Sequence, residues 1–465
     1  MAGFCCSISF VFIPFSLILF FLFFSSSLNI DYSTLFSSSY LRKTHHTNPQ
    51  QVSQDVFLST NCNTHKAGNI KKNSLKIIEV GLAKARAAIR EAVRTRRYMS
   101  KKKETFIPRG SIYRNPYAFH QLSLSHIEMM KRFKVWTYGE GEQPLVHNGP
   151  LKDAYAIEGQ FIDEIESYKS PFRACNPEEA HVFFLPISVT NIVDYVYMPI
   201  TTDADFYRDR LQKIVMDYVK VVATKHPYWN RSNGADHFML SCHDWGPDIS
   251  VANHELFENL IRAHCNANTS EGFQPIRDIS IPEIYLPNGT VGPLLQGQGP
   301  NNRPVLAFFG GQAHGDIREM LLKNWKDKDS DVQVHEYHPQ GPNYTKIMSQ
   351  TKYCLCPSGF EVATPRVVEA IYKGCVPVII SDSYHLPFSD VLNWGRFSIQ
   401  IPVEKIPEIK KILQGIPYEK YKKLQKNVIK VRRHFVLNRP AKPFDALHMV
   451  LHSVWLRRLN FALPA

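Results

Sequence analysis

An arginine and a glutamate three residues apart, Arg366 and Glu369, stand near the start of a short helical stretch in YCLCPSGFEVATPRVVEAIYKGCVPVIISD, residues 353–382. Residues at that spacing share a helix face, so guanidinium and carboxylate open onto one groove. A nucleotide asks for that pair: a cation for the diphosphate and an acceptor for ribose hydroxyls. The same spacing also describes an ordinary surface ion pair, so the surrounding elements have to decide between the two.

Those elements form a β-α-β unit: an apolar strand over 353–356, a turn on Pro357, Ser358 and Gly359, a helix, and a second apolar strand over 376–380. Thr364 occupies the N-cap position, Pro365 the first helical position, and Gly374 falls just past the last turn. Arg366 and the unpaired N–H groups of the helix start then face one small volume. Upstream, FFGGQAHGDIR ends a strand at Phe309. Gly310 and Gly311 permit close backbone approach to a ligand, and the following helix carries Arg318. This spacing is not the dinucleotide fingerprint, and a glycine pair after a strand also simply makes a turn.

Such units recur along the chain. Strands are expected over 133–138, 181–185 and 237–242, with helices over 155–167, 205–223 and 252–262. A second series starts at Arg303, with strands over 305–309, 332–337, 353–356, 376–380 and 397–401, each followed by a helix. Alternation of this kind implies parallel sheets covered on both faces. The reading gives an N-terminal Rossmann-like acceptor domain over 105–300, a C-terminal Rossmann-like nucleotide-sugar domain over 301–415, and closing helices over 416–465.

For the acceptor side, SCHDWGP places His243 and Asp244 directly after a strand, with Trp245 available to stack on a sugar ring. A base there would take the proton of an attacking hydroxyl, although polar residues after a strand also cap helices. Glu283 in ISIPE is a second candidate base. Metal ligation reads poorly. Asp203 and Asp205 precede a long helix as caps do, while Asp327, Asp329 and Asp331 sit in a charged loop, and His335 and His338 lack further ligands for zinc. With Arg366 and Arg318 present, no metal and no other cofactor is expected.

The run CPSGFEVATPRVVEAIYKGCVPVIISD resembles the signature of the exostosin family, glycosyltransferase family 47, in its plant form. IPRGSIYRNPYAFH, FKVWTYGEGEQPLVHNGP, HPYWNRSNGADHFMLSCHDWGP, DISIPEIYLP and RPVLAFFGG match it further, in the family's order. The resemblance implies a GT-B fold with the active site between the halves. It also implies transfer with inversion from a nucleotide sugar, expected to be UDP-linked, to a pectic or hemicellulosic cell-wall polysaccharide. Glu361, eight residues before Glu369, resembles the first of the paired glutamates of other GT-B enzymes and would face the transferred sugar or pair with Arg366.

Of the 465 residues 44% are hydrophobic and 12% aromatic, enough for more than one core at about 150 residues per domain. Much of the net charge of +13 lies between Lys71 and Lys103, without any nucleic-acid-binding module, so it reads as a basic stem. From Ser7 to Leu28 no residue is charged, which suits one bilayer span after a short tail over 1–6. No Lys or Arg precedes that run and Arg42 and Lys43 follow it, so charge does not assign its orientation. The resemblance does, as a single-pass type II Golgi membrane protein with a lumenal catalytic part. A stem over 29–104 follows, ending in an amphipathic helix over 70–99 whose apolar positions are Ile77, Val80, Leu82, Ala85, Ile89 and Val93, suited to packing on the globular part or pairing with another chain. Seven cysteines beyond the apolar run fit a few disulfides and at least one free thiol. Asn230, Asn268, Asn288 and Asn343 head glycosylation sequons. Two other classes fit less well. A non-catalytic glycan-binding or scaffold partner of other transferases has no need of Arg366 with Glu369, and a nucleotide-sugar epimerase or dehydrogenase needs the absent Gly-x-Gly-x-x-Gly.

Overall fold

The computed structural model describes residues 74–95, 112–114, 118–291, 297–336 and 342–463, all within the compact unit Asn61–Ala465. The expected membrane span, tail and most of the stem lie outside these residues. Among the described residues no helix is long and apolar enough to cross a membrane.

Two five-stranded, wholly parallel sheets organise the unit. The first runs β1 (Val135–Thr137), β2 (Val182–Phe184), β3 (His237–Ser241), β4 (Ile261–His264) and β5 (Ile279–Ser280), in sequence order. The second contains β6 (Val305–Gly310), β7 (Val332–His335), β8 (Thr351–Pro357), β9 (Val376–Ile380) and β10 (Ile399–Gln400), in the order β10-β9-β8-β6-β7. In this second sheet the order reverses between β6 and β8, and ligands of doubly wound sheets bind at such a switch point, outside the carboxyl ends of the strands. The first sheet has no reversal, so its likeness to a Rossmann domain stops at its parallel strands and covering helices.

Three expectations need correction. The stretch expected to be helical to Arg262 ends its helix, His254–Asn259, early and enters β4. Strand β5 was not anticipated either. In both strands polar side chains, Arg262, His264 and Ser280, interrupt the apolar run that marks a buried strand. Finally, β9 is not followed by a helix. The chain crosses instead to the first sheet, where Phe388 N–H donates to Ser280 O at 2.9 Å, His385 N–H to Ala267 O at 2.9 Å, and Tyr384 bridges to Asn268. Backbone hydrogen bonds spent across the halves replace those a helix would have made internally.

The largest apolar cluster continues from one face of the first sheet through both sides of the second, while a separate cluster fills the other face of the first sheet. The final helix, Ala446–Leu459, packs back on β4, β5 and the Ala118–Arg132 helix. The stem helix Ser74–Thr95 docks there as well. Arg86 donates to the carbonyls of Leu459 and Phe461 at 2.8 Å each, and Glu79 pairs with Arg458. Its buried line is Ile78, Leu82 and Ala85 with Ile89 partly covered, whereas Ile77 and Val80 face outward. Spacings of four, three and four keep the buried set on one stripe, and Ile77 and Val80 fall beside it.

Candidate active site

The switch point of the second sheet is built around two arginines. Arg366 opens the Arg366–Tyr372 helix after β8, and its Nε and Nη2 donate to the carbonyl of Gly310, at the end of β6, at 3.2 and 3.1 Å. Its Nη1 donates to Thr364 Oγ1 at 3.3 Å, so the Thr364 hydroxyl serves the arginine and not the helix cap, a position held by Pro365. Arg318, on the Asp316–Trp325 helix after β6, is buried against the Pro357–Gly359 turn, with Nε 3.5 Å from Pro357 O. Burial and the charge of Arg366 lower its pKa to about 10, which leaves it cationic at neutral pH.

The glycines make room for these guanidinium groups. A β-carbon on Gly311 would collide with Arg366, and one on Gly359 would lie 2.9 Å from Cζ of Arg318. Their N–H groups are already committed, Gly311 to His335 O at 3.0 Å and Gly359 to Glu361 O at 2.9 Å. Ser358 donates its N–H to Ile380 O at 3.1 Å and its hydroxyl to Val362 O at 3.2 Å. The turn thus satisfies its own donors, and the arginines supply the positive charge at the strand ends. Glu369 lies one turn below Arg366 and accepts the Tyr344 hydroxyl at 3.0 Å; burial raises its pKa, against the pull of Arg366.

From the first sheet comes a group of carboxylates. Asp244, just past β3, accepts a hydrogen bond from the Tyr155 hydroxyl; burial raises its pKa, opposed by that bond and by Arg318. Glu283, after β5, is pushed up to about 8 by burial and the Asp244 charge, with Arg366 and Arg318 pulling the other way. Glu361, from the second half, is raised to about 7 by burial, against the hydrogen bond from Asn266. Asn266, which follows β4, donates to Glu361 Oε2 at 2.5 Å and to the backbone carbonyl of Asp244 at 3.2 Å, so one amide joins the two halves across the cleft.

His243 is arranged differently. Its Nδ1 accepts the Trp245 N–H at 3.1 Å, and burial lowers its pKa to about 4. A neutral ring whose Nδ1 accepts carries its proton on Nε2, so no lone pair remains to take one from a substrate. The Asp244 loop is fixed from behind. The Cys242 N–H donates to buried Glu158 at 2.9 Å, Glu158 also accepts from Ser188 and Thr190, and Cys242–Cys265 ties β3 to β4. A second disulfide, Cys354–Cys375, joins the starts of the paired β8–β9 strands, and Cys356 is a buried free thiol.

Sequence reasoning missed Tyr155, Tyr344, Asn266 and Glu158, none of which belongs to a local pattern. The aspartates weighed as metal ligands have other work: Asp205 accepts from Thr201 and Thr202, and Asp329 and Asp331 pair with Lys410. Of the sequon asparagines, Asn230 and Asn288 are exposed, while the side chain of Asn343 lies outside the described residues. Asn268 is buried and caps a turn by accepting the Ser270 N–H at 3.0 Å.

A family model described as the exostosin GT47 domain matches residues 129–416. A protein of Arabidopsis thaliana named "probable glycosyltransferase" is 50% identical over 388 residues, covering 83% of this chain and 73% of that one. At 28% identity, a rice protein named "probable glucuronosyltransferase" aligns over 70% of this chain and 80% of its own length. An Arabidopsis protein named "probable beta-1,4-xylosyltransferase" does so, also at 28% identity, over 70% and 82%.

Proposed function

Since this chain belongs to the exostosin GT47 family and is a glycosyltransferase, we propose that it transfers a sugar, with inversion, from a UDP-linked donor to a cell-wall polysaccharide of the pectin or hemicellulose class. The observation that carries the reading is the meeting, at one cleft, of two arginines from the switch point of the second sheet with carboxylates from the end of the first. The relatives named for glucuronosyl and xylosyl transfer support a sugar as the group transferred.

In this mechanism the diphosphate lies against Arg318 and Arg366, and Glu369 takes ribose hydroxyls. Burial raises both Asp244 and Glu283, and Asp244 alone accepts the Tyr155 hydroxyl, a bond that favours its ionised form, so Asp244 takes the base role and Glu283 the acid role. The roles need Glu283 protonated, which its pKa of about 8 favours, and Asp244 ionised, which the Tyr155 hydrogen bond and the Arg318 charge favour against burial. Asp244 takes the proton of the acceptor hydroxyl as its oxygen bonds to the anomeric carbon. The bond to the diphosphate breaks, and its electrons end on an oxygen that faces the two guanidinium groups. Glu283 donates a hydrogen bond within the same site, and Glu361 faces the transferred sugar. The charge on the leaving group is met by arginine, so the reading needs no metal.

The disulfides support an oxidising compartment for the chain. With the uncharged segment Ser7–Leu28, they support a type II Golgi membrane protein with a lumenal catalytic domain. The test is calorimetric titration of the full-length protein with a panel of nucleotide sugars in EDTA, followed by transfer to xylan and homogalacturonan oligosaccharides. Saturable binding of one donor, with product of inverted anomeric configuration, is expected. A folded protein that binds no donor overturns the reading in favour of a glycan-binding partner of other transferases.

A further inference from the structure

Beside Asp244 the first domain exposes aromatic rings that neither the core nor the donor site employs. Tyr195, Phe206 and Tyr207 are 67, 52 and 69% exposed, and Met198 is 52% exposed. Such residues occur singly on ordinary surfaces, but a contiguous group marks an interaction site. Here all four fall within thirteen residues of the chain, and the segments that carry them are held in place. The Arg208 guanidinium stacks 3.5 Å above the Trp245 ring and donates to the carbonyl of Phe206. Tyr197 packs edge-on against Trp245 with centroids 4.9 Å apart, and Arg210 covers Tyr197 at 4.2 Å while donating to Val196 O. The segments that carry Tyr195, Met198, Phe206 and Tyr207 are therefore anchored to Trp245, the residue next to Asp244.

We propose that this surface is a docking platform for the acceptor glycan, extending outward from the catalytic cleft over several sugar residues. The inference rests on the glycosyltransferase reading of the cleft and adds where the acceptor chain lies. Three features favour a polysaccharide as the occupant. The platform is anchored to Trp245, which adjoins Asp244 in the chain, and its Arg208 pairs with Asp248, whose charge acts on Glu361. It is aromatic more than aliphatic, and rings with an apolar face and a polar edge suit the C–H faces and hydroxyls of sugars. Its arginines are also matched by acids, Arg208 with Asp248 at 2.9 Å and Arg210 with Asp205 at 3.2 Å, so hydrogen-bonding groups border the rings without a large net charge. That balance suits a neutral, hydroxyl-rich chain better than a polyanion.

The experiment is native affinity electrophoresis of the full-length protein in gels containing xylan or homogalacturonan. Wild type is compared with Phe206→Ala/Tyr207→Ala, and with Tyr168→Ala as a control, since Tyr168 is 67% exposed and precedes Phe172, whose carbonyl accepts the Val135 N–H at the start of β1. Loss of central aromatic contacts should weaken retardation by about tenfold or more, with donor titration intact and the control retarded like wild type. Transfer to long acceptors should fall relative to transfer to disaccharides. Unchanged retardation of the double variant, or a wild type that neither polysaccharide retards, overturns the proposal. So does a shift in oligomeric state by light scattering with no change in retardation, which would make the platform a protein interface. Donor titration of the same preparations separates these results from failure of the transferase reading: loss of donor binding in the wild type defeats the latter, whatever the gels show.

Discussion

The guanidinium of Arg366 lies against the Cα of Gly311, so close that a β-carbon there would occupy the space of Nη2. Gly311 is kept free of a side chain by an arginine from a different strand crossover, whose position is set in turn by the Gly310 carbonyl. Gly311→Ala should displace that guanidinium without adding or removing charge. Loss of a charge-assisted contact is worth about 1.5–3 kcal/mol, so donor affinity should fall between about tenfold and a hundredfold in a calorimetric titration. Because Arg366 is the far end of a side chain, the melting temperature should move little. Full donor affinity in Gly311→Ala would remove Arg366 from the diphosphate site.

Tyr155 bears on the base. Its hydroxyl donates to Asp244 and favours the ionised carboxylate, against the burial that raises its pKa. Arg318 acts in the same sense, while Glu283 and Glu361 face the same site as carboxylates. Tyr155→Phe deletes one stabilising bond, so the Asp244 pKa rises and the acid limb of kcat/KM moves to higher pH. A shift of about one pH unit corresponds to about 1.4 kcal/mol. Donor affinity should be retained. An acid limb at its wild-type position would mean that Tyr155 only packs, or that Asp244 is not the base.

Glu283 sets the other limb. With a pKa of about 8 it carries a proton at neutral pH and loses it on the alkaline side, placing a second negative charge beside Asp244. Transfer should then decline above about pH 8, as expected where one member of a pair must stay protonated. Glu283→Gln keeps the hydrogen-bond donor and cannot ionise. It should retain turnover near neutrality and flatten the alkaline limb. Turnover abolished at every pH, in a variant that binds donor, would give the base to Glu283.

What the chain disclosed in advance follows from how local each feature is. The β8 unit was legible because its apolar runs, its proline and Gly374, which takes a positive φ of 64°, all act within a few residues of one another. Strands β4 and β5 were hidden because Arg262 spends its charge on Asp278 at 2.5 Å inside the fold, and no local pattern announces a buried pair. Asn266 was missed for the same reason, since Glu361 lies 95 residues away. The arginines were found from spacing, but the glycines beside them were assigned to ligand approach. Only the fold shows that the guanidinium groups occupy that space.

The final prediction concerns acid stability. His126, His434, His448 and His452 are buried between the Ala118–Arg132 helix and the end of the chain. His126 lies 3.1 Å from His448, His452 3.0 Å from Ser125 Oγ, and His434 2.9 Å from the Tyr113 hydroxyl. Burial lowers the first two to about 3 and the others to about 4 from an ordinary 6.5, with Arg433 and Arg457 adding to the shift and Asp390 opposing it. Below pH 6.5 the unfolded chain therefore binds protons that the folded chain refuses, and each histidine withdraws about 1.4 kcal/mol per pH unit down to its folded pKa. Glu283 and Glu361 act in the opposite sense. Raised to about 8 and 7, they are protonated in the fold before they are in the unfolded chain, so they add stability as pH falls toward 4.5. His181 and His243, lowered to about 3 and about 4, act with these four, so the histidines outweigh Glu283 and Glu361 and the melting temperature should drop between pH 6.5 and 4.5. In Glu283→Gln/Glu361→Gln this offset disappears, and the drop over the same range should steepen. A melting temperature independent of pH in both proteins would mean that the histidines gain protons without unfolding, through water that reaches the interface between the first and last helices of the globular part.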